Sequence, residues 1–246
     1  MRALVVSDLH SNAEALRAVM TRMRRKKFEV VICLGDFVGY GAQPNQVLDV
    51  MRTLRGRKIY IRGNHDRVAS GLDDANGFNQ AAKAAALWTR EHLSPPNRRF
   101  LRDLTVGPLI HRGVMLCHGS PYDEDEYVFN VHHAAQILAL FDAPVILFGH
   151  THLPAVFAID PDENVRGFAV RDEATVKLEP TLRYLINPGS VGQPRDRNPA
   201  AACIILDTEK RTAQFFRVEY DVKKTQSSIL KAGLPQILAS RLQFGT

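Results

Sequence analysis

Short apolar runs punctuate the first part of the chain, and each ends abruptly in polar residues. Residues 2–7 contain Ala3-Leu4-Val5-Val6, read as a buried strand, and close at Asp8-Leu9-His10. Ser11 or Asn12 can cap a helix, and Ala13, Leu16, Val19, Met20 and Met23 then recur at helical spacing. Val30-Val31-Ile32-Cys33-Leu34 is a second buried run, ending at Gly35-Asp36. A loop with Gly39, Gly41 and Pro44 leads into a helix near 45–55. Lys58-Ile59-Tyr60-Ile61 is a third strand, ending at Gly63-Asn64-His65-Asp66. Strand, helix, strand, helix, strand at this spacing predicts right-handed βαβ units on a parallel sheet.

From 69 to about 100 the pattern is helical, with a boundary at Pro95-Pro96. Residues 109–117 read as two strands turning at Gly113 and ending at His118-Gly119. A helix is expected over 125–141, then a buried strand over 144–148 ending at Gly149-His150-Thr151-His152. After that the pattern changes. Runs at 155–159, 165–170, 175–178, 183–186, 202–206 and 214–218 are short strands with no helix between them. They predict an antiparallel meander forming a second sheet packed on the first. A last helix is expected over 222–242. No repeat or flexible linker interrupts residues 1–246, so one domain is expected, with a helical insert at about 67–105.

Composition narrows the function classes. Hydrophobic content of 45% is enough for a full core. No secretory signal precedes the first strand and no run is long enough to span a bilayer, so a cytoplasmic protein with no membrane partner is expected. Cys33, Cys117 and Cys203 lie inside apolar runs without CxxC spacing, which reads as three buried hydrophobes. The net charge of +6 suits an anionic substrate. Nucleic acid is a possible partner but is not favoured, because the basic residues are scattered and aromatic interleaving is sparse. The densest basic run, 22–27, closes the first helix, where the dipole favours cations.

Six segments place ligand-type residues at run ends: Asp8 with His10, Asp36, Asn64 with His65, His118, His150 with His152, and the loop Asn187-Pro188-Gly189-Ser190. Five of the nine histidines fall there. In α/β proteins, sites form at the carboxyl ends of strands. In an extended strand end, residues i and i+2 point to one side, so each of the pairs Asp8/His10 and His150/His152 can reach a common ion. Asp36 has two oxygens with which to bridge ions, and Asn64 adds a neutral carbonyl oxygen. This mixed donor set suits Mn, Fe, Co, Ni or Zn better than Mg or Ca. Two such ions about 3.5–4 Å apart would activate a water and clamp phosphate oxygens. His92, His111, His132 and His133 read as structural, and the acidic loop 123–126 as solvated.

Asp8-x-His10, Gly35-Asp36, Gly63-Asn64-His65-Asp66, His118-Gly119 and Gly149-His150-Thr151-His152, in that order, resemble the calcineurin-like metallophosphoesterase superfamily. The closing Asn187-Pro188-Gly189-Ser190-Val191-Gly192-Gln193-Pro194-Arg195 resembles its small bacterial and archaeal phosphodiesterase branch. The resemblance implies an α/β fold, a two-layer β-sandwich of mixed sheets flanked by helices. It also implies two divalent metal ions. One would take Asp8, His10 and His152, the other Asn64, His118 and His150, with Asp36 bridging. The catalytic histidine would be His65, with Asp66 helping to orient its imidazole. The implied reaction is hydrolysis of a small nucleotide or similar phosphodiester by a metal-bound hydroxide. A nuclease is the alternative. A non-catalytic scaffold of the same fold ranks low, because every ligand and His65 are present. One departure stands out. Where the family's protein phosphatases carry Asp-Arg, this chain has Gly39-Tyr40, which argues against a protein phosphatase. Tyr40 would line the pocket, stack on a base or simply pack in its loop. Ser190 and Arg195 are candidate phosphate contacts, with Asp196 or Asp123 as the competing partner of Arg195.

Overall fold

Alternation decides how the strands are used. In β1 (Arg2–Val6), Leu4 and Val6 face one apolar layer and Ala3 and Val5 another, so both sides are buried. That is what a run without a polar position requires. The computed structural model describes residues 1–246. After β1 come α1 (Ala13–Met23), β2 (Val30–Cys33), α2 (Pro44–Thr53) and β3 (Arg57–Tyr60). Three helices follow, α3 (Asn64–Ser70), α4 (Gln80–His92) and α5 (Pro95–Arg102). Then come β4 (Leu109–His111), β5 (Val114–Leu116), α6 (Val131–Leu140) and β6 (Val145–Leu147). The remaining strands are β7 (Ala155–Ile159), β8 (Val165–Ala169), β9 (Ala174–Lys177), β10 (Arg183–Asn187), β11 (Ala201–Asp207) and β12 (Thr212–Val218). The chain closes with α7 (Val222–Lys231), α8 (Gln236–Ser240) and a single 3₁₀ turn, Arg241–Gln243.

Two mixed six-stranded sheets result, ordered β3-β2-β1-β11-β12-β9 and β4-β5-β6-β10-β7-β8. The fold is therefore α/β with two packed sheets, as expected, but the late strands do not form a sheet of their own. β9, β11 and β12 complete the first sheet, while β7, β8 and β10 join β4, β5 and β6. The reason is burial. Without β11 beside it, β1 would be a fully apolar edge with unpaired backbone groups. The register Ala3↔Leu206 and Val5↔Ile204 puts apolar residues of both strands on the layer shared with the second sheet.

Smaller differences have local causes. β3 is an edge strand with exposed Arg57 and Lys58, not a buried one. The helix expected from 125 starts only at Val131, where the Asn130 side chain accepts from the His133 N–H. The last helix breaks at Gly233, in the left-handed region, and Pro235. No helix is long and apolar enough to cross a membrane.

One apolar layer fills the space between the sheets; α1 and α2 cover the outer face of the first, and α6 that of the second. The parallel strands end level. Val6 lies opposite Cys33, which lies opposite Tyr60. Leu116 lies opposite Leu147, which lies opposite Ile186. The loops leaving both sheets therefore open on one rim.

Candidate metal centre

The backbone turns sharply as it leaves each strand. Asp8, His10, Asp36, His150 and His152 all have positive φ, between 44° and 64°. The extended i, i+2 geometry expected for the two pairs is absent; left-handed turns aim the side chains instead. Loops zip together to hold these turns. The N–H groups of Asp8, His10 and Ser11 donate to the carbonyls of Gly35, Asp36 and Phe37 at 3.0–3.1 Å. Asn64 and His65 open α3 rather than end a strand. Gly63 is extended (φ −106°, ψ 171°), a conformation open to any residue, so space is what requires a glycine: a Cβ there would collide with the Asp36 carboxylate.

Three groups of donor atoms converge, each within 4.8 Å: Asp8/His10/His152, Asp36/His118/His150 and His10/Asp36/His65. All seven residues are buried. The tautomers follow from the hydrogen bonds, because a carbonyl can only accept. Nδ1–H of His10 donates to Val38 O at 3.0 Å, that of His152 to Gln193 O at 2.6 Å, and that of His118 to Leu34 O at 2.7 Å. His10 and His152 are neutral, so their Nε2 atoms are bare lone pairs, and these face each other at 3.0 Å. His118 Nε2 has no hydrogen-bond partner and lies 3.4 Å from Asp36 Oδ2. His152 Nε2 lies 3.4 Å from Asp8 Oδ1, and His10 Nε2 3.5 Å from Asp36 Oδ2. At His150 it is Nε2 that is engaged, by the Asp125 carbonyl at 3.1 Å, leaving Nδ1 free.

Lone pairs opposed at these distances repel unless a cation lies between them. Carbonyl-anchored imidazoles with the other nitrogen free are how proteins present histidine to metals. The donor set therefore fits divalent cations. Burial keeps His10 and His152 neutral by holding their pKa well below the usual value, and it lowers His150 to about 3. Burial alone would raise the Asp36 carboxyl, but the neighbouring His118 and His65 hold it below the carboxylate range. His118 shows the reverse: burial opposes its charge, yet Asp36 lifts it to about 10.

The calcineurin-like phosphoesterase superfamily domain matches residues 1–211. The chain belongs to that superfamily. A metallophosphoesterase from Sphaerobacter thermophilus is 35% identical, with a TM-score of 0.87 over 100% of this chain and 99% of that one. An uncharacterised protein of Methanocaldococcus jannaschii is 36% identical over 98% of this chain and 97% of its own length. A hypothetical protein of Pyrococcus horikoshii shares the fold at 22% identity, with a TM-score of 0.80 over 100% of this chain and 98% of that one. As a calcineurin-like phosphoesterase, the protein is a phosphoric ester hydrolase whose His/Asp cluster binds divalent metal.

Around the superfamily's cluster, the remaining candidates separate. The His65 ring stands among Tyr40, Phe78 and His10 at centroid distances of 4.5, 4.6 and 4.9 Å. Its Nδ1 is buried without a partner. Asp66 does not reach the imidazole. Its two oxygens accept from Val38 N at 3.2 Å and Gly63 N at 3.0 Å, closing the start of α3. Ser190 faces away from the pocket: fully buried, it donates to Asp8 O and accepts from Gln193 N, both at 2.8 Å. Asn187 also holds loops rather than ions, donating to Gly149 O and Thr151 Oγ1 at 2.7 and 3.0 Å. Tyr40 packs 4.5 Å from His10, and its hydroxyl accepts from Arg195 at 3.2 Å. Arg195 pairs with neither Asp196 nor Asp123; Asp196 is taken by Arg217. The acidic loop is not simply solvated. Glu124 pairs with Arg62 and Arg67, and Asp125 with Arg67. Next to it Tyr127 stacks on His150 at 3.9 Å. These contacts carry no local sequence signal, since the arginines and carboxylates are 57–62 residues apart.

Proposed function

We propose that the protein is a binuclear phosphodiesterase for small phosphodiesters. The observation that carries this is the convergence of bare imidazole nitrogens on Asp8 and Asp36 from both sheets, with the unpartnered His65 beside them. Asp8, His10 and His152 would hold one ion, Asn64, His118 and His150 a second, and Asp36 would lie between. Two divalent ions there supply charge to phosphoryl oxygens and lower the pKa of a water. Mn, Fe, Co, Ni and Zn all suit this donor set.

The chain's own residues do the rest. Arg195 carries a charge with no carboxylate partner and a buried Nε without an acceptor, so a phosphate oxygen is its natural ligand. Tyr40 steadies that guanidinium by accepting from its Nη2. His65 is neutral in the free protein, lowered to about 4 by burial. A bound phosphate raises it again, because an opposite charge nearby favours the protonated ring. His65 can then give its proton to the departing oxygen. Asp66 acts through the backbone that positions His65.

Hydrolysis of bis-p-nitrophenyl phosphate across Mn, Ni, Co, Zn and Mg tests the proposal. Metal-stimulated turnover that disappears in Asp36→Ala is the expected result. Absence of turnover with every metal would overturn it.

A further inference from the structure

Beside the metal cluster lies a cleft of about 1020 Å³, with Thr151 and Arg195 in its lining. A stack of rings runs from the cluster towards it. Tyr127 lies 3.9 Å from His150, and Phe129 lies 5.1 Å from Tyr127 with its plane turned by only 6°. Phe129, the end of that stack, lines the cleft and is 54% exposed. Phe168, on β8, lines it too and is 52% exposed. Neither ring is needed by the core, and each offers an open face. Charge points the same way. Arg171, Arg195 and Arg197 line the cleft, and none is paired with a carboxylate. Of the two lining aspartates, Asp196 is neutralised by Arg217, which leaves Asp172 alone against three cations.

A ligand that satisfies this surface is flat and aromatic at one part and anionic at another. We infer that the cleft binds a nucleoside phosphate, its base stacked against Phe129 and Phe168 and its phosphate towards Arg195 and Thr151. The inference rests on the proposed phosphodiesterase reading for where the scissile phosphate lies, and it names the substrate class. Flat rings stack on exposed aromatic faces whatever the base, so preference for a base over none is the property to measure.

The test is calorimetric titration of the manganese-loaded full chain with two phosphonates. One is the phosphonate analogue of AMP, whose carbon–phosphorus bond resists hydrolysis; the other is methylphosphonate, which lacks a nucleoside. The AMP analogue is expected to bind at least about 10-fold more tightly, the scale of one base stack. The double variant Phe129→Ala/Phe168→Ala should erase that advantage and leave methylphosphonate affinity unchanged. Both side chains are half exposed, so the fold should survive the change. Equal binding of the two ligands, or an advantage that persists in the double variant, overturns the inference. So does an octyl phosphonate that binds as tightly as the AMP analogue, which would make the cleft merely apolar. Hydrolysis of bis-p-nitrophenyl phosphate by the same preparation separates the two readings. Turnover without base preference removes the cleft assignment alone. Base preference that depends on both phenylalanines, without turnover, supports the cleft and removes the phosphodiesterase reading.

Discussion

Asp66 sits next to the residue proposed for leaving-group chemistry, yet its bonds are those of a clamp. Each carboxylate oxygen accepts from one buried backbone N–H, Oδ1 from Val38 and Oδ2 from Gly63. Asp66→Ala orphans both donors. A buried N–H left without an acceptor costs about 1–3 kcal/mol, so the pair should cost about 2–6 kcal/mol. At about 2–4 °C per kcal/mol for a domain of this size, the melting temperature should fall by at least about 4 °C. Asp66→Asn should not rescue it fully. An amide presents one oxygen and one NH₂, so it can accept from only one of the two donors and turns a donor towards the other. Its melting temperature should therefore fall between those of wild type and Asp66→Ala. Differential scanning fluorimetry on metal-loaded protein, with turnover measured in parallel, separates the roles. A clamp loses stability and rate together. Unchanged melting with lost turnover would refute this reasoning and make Asp66 a direct participant.

Other expectations concern the cluster itself. Asn64→Ala should weaken affinity for one metal, seen as a lower metal-to-protein ratio on equilibrium dialysis. His65→Ala should retain the wild-type ratio and lose turnover by roughly 10²–10⁴-fold, the usual scale for one proton-transfer group. Manganese supplied at about 1,000 times its dissociation constant should stabilise the metal-free protein by about 4 kcal/mol, read as a rise in melting temperature that EDTA reverses. Stability of the metal-free protein should peak near pH 6.5. His10, His65, His150 and His152 have folded pKa values below their unfolded 6.5, so their contribution is present above 6.5 and lost as pH falls towards 4. Asp8 and Asp66, raised by burial, act the other way but are two groups against four. His118, raised to about 10, contributes below 6.5 and loses that contribution as pH rises above it. Melting curves from pH 5 to 9 in EDTA check this; a monotonic rise towards pH 5 would contradict it.

The parts of the fold visible in the chain were those set by near neighbours. The βαβαβ start is legible because apolar runs and helical spacing sit within 60 residues, and the observed strands β1, β2 and β3 lie within a residue or two of expectation. The late strands were equally visible one by one, but not their sheets. Which face a strand shares is a long-range question; β1 and β11 pair across about 200 residues. In the site, residue types at run ends marked the seven side chains that the structure brings together. What Asp66, Asn187 and Ser190 bond to was not legible, because hydrogen-bond direction depends on backbone turns that spacing does not encode. The acidic loop failed for a similar reason: its arginine partners lie across β3 and α3, in a separate stretch of sequence.

The conformations at the rim carry a cost that bears on how the centre works. Seven residues there, Asp8, His10, Ser11, Asp36, Tyr40, His150 and His152, have positive φ. At about 1–3 kcal/mol each, such strain would sum to roughly 7–20 kcal/mol, as large as the whole net stability of a typical domain. Five of the seven are Asp or His, which enter the left-handed region more readily than most side chains, so the true cost lies towards the low end. The residue types that ligate metals are thus also types that tolerate the turns needed to aim them. What remains of the strain is held by packing and by bonds between loops from both sheets. Ser190 and Asn187 tie the Asp8 and Gly149 turns to β10, and the Asp8 and His10 amides tie the first loop to the second. Donor atoms fixed in this way stay close together, so a cation entering the cluster meets formed ligands instead of having to gather them.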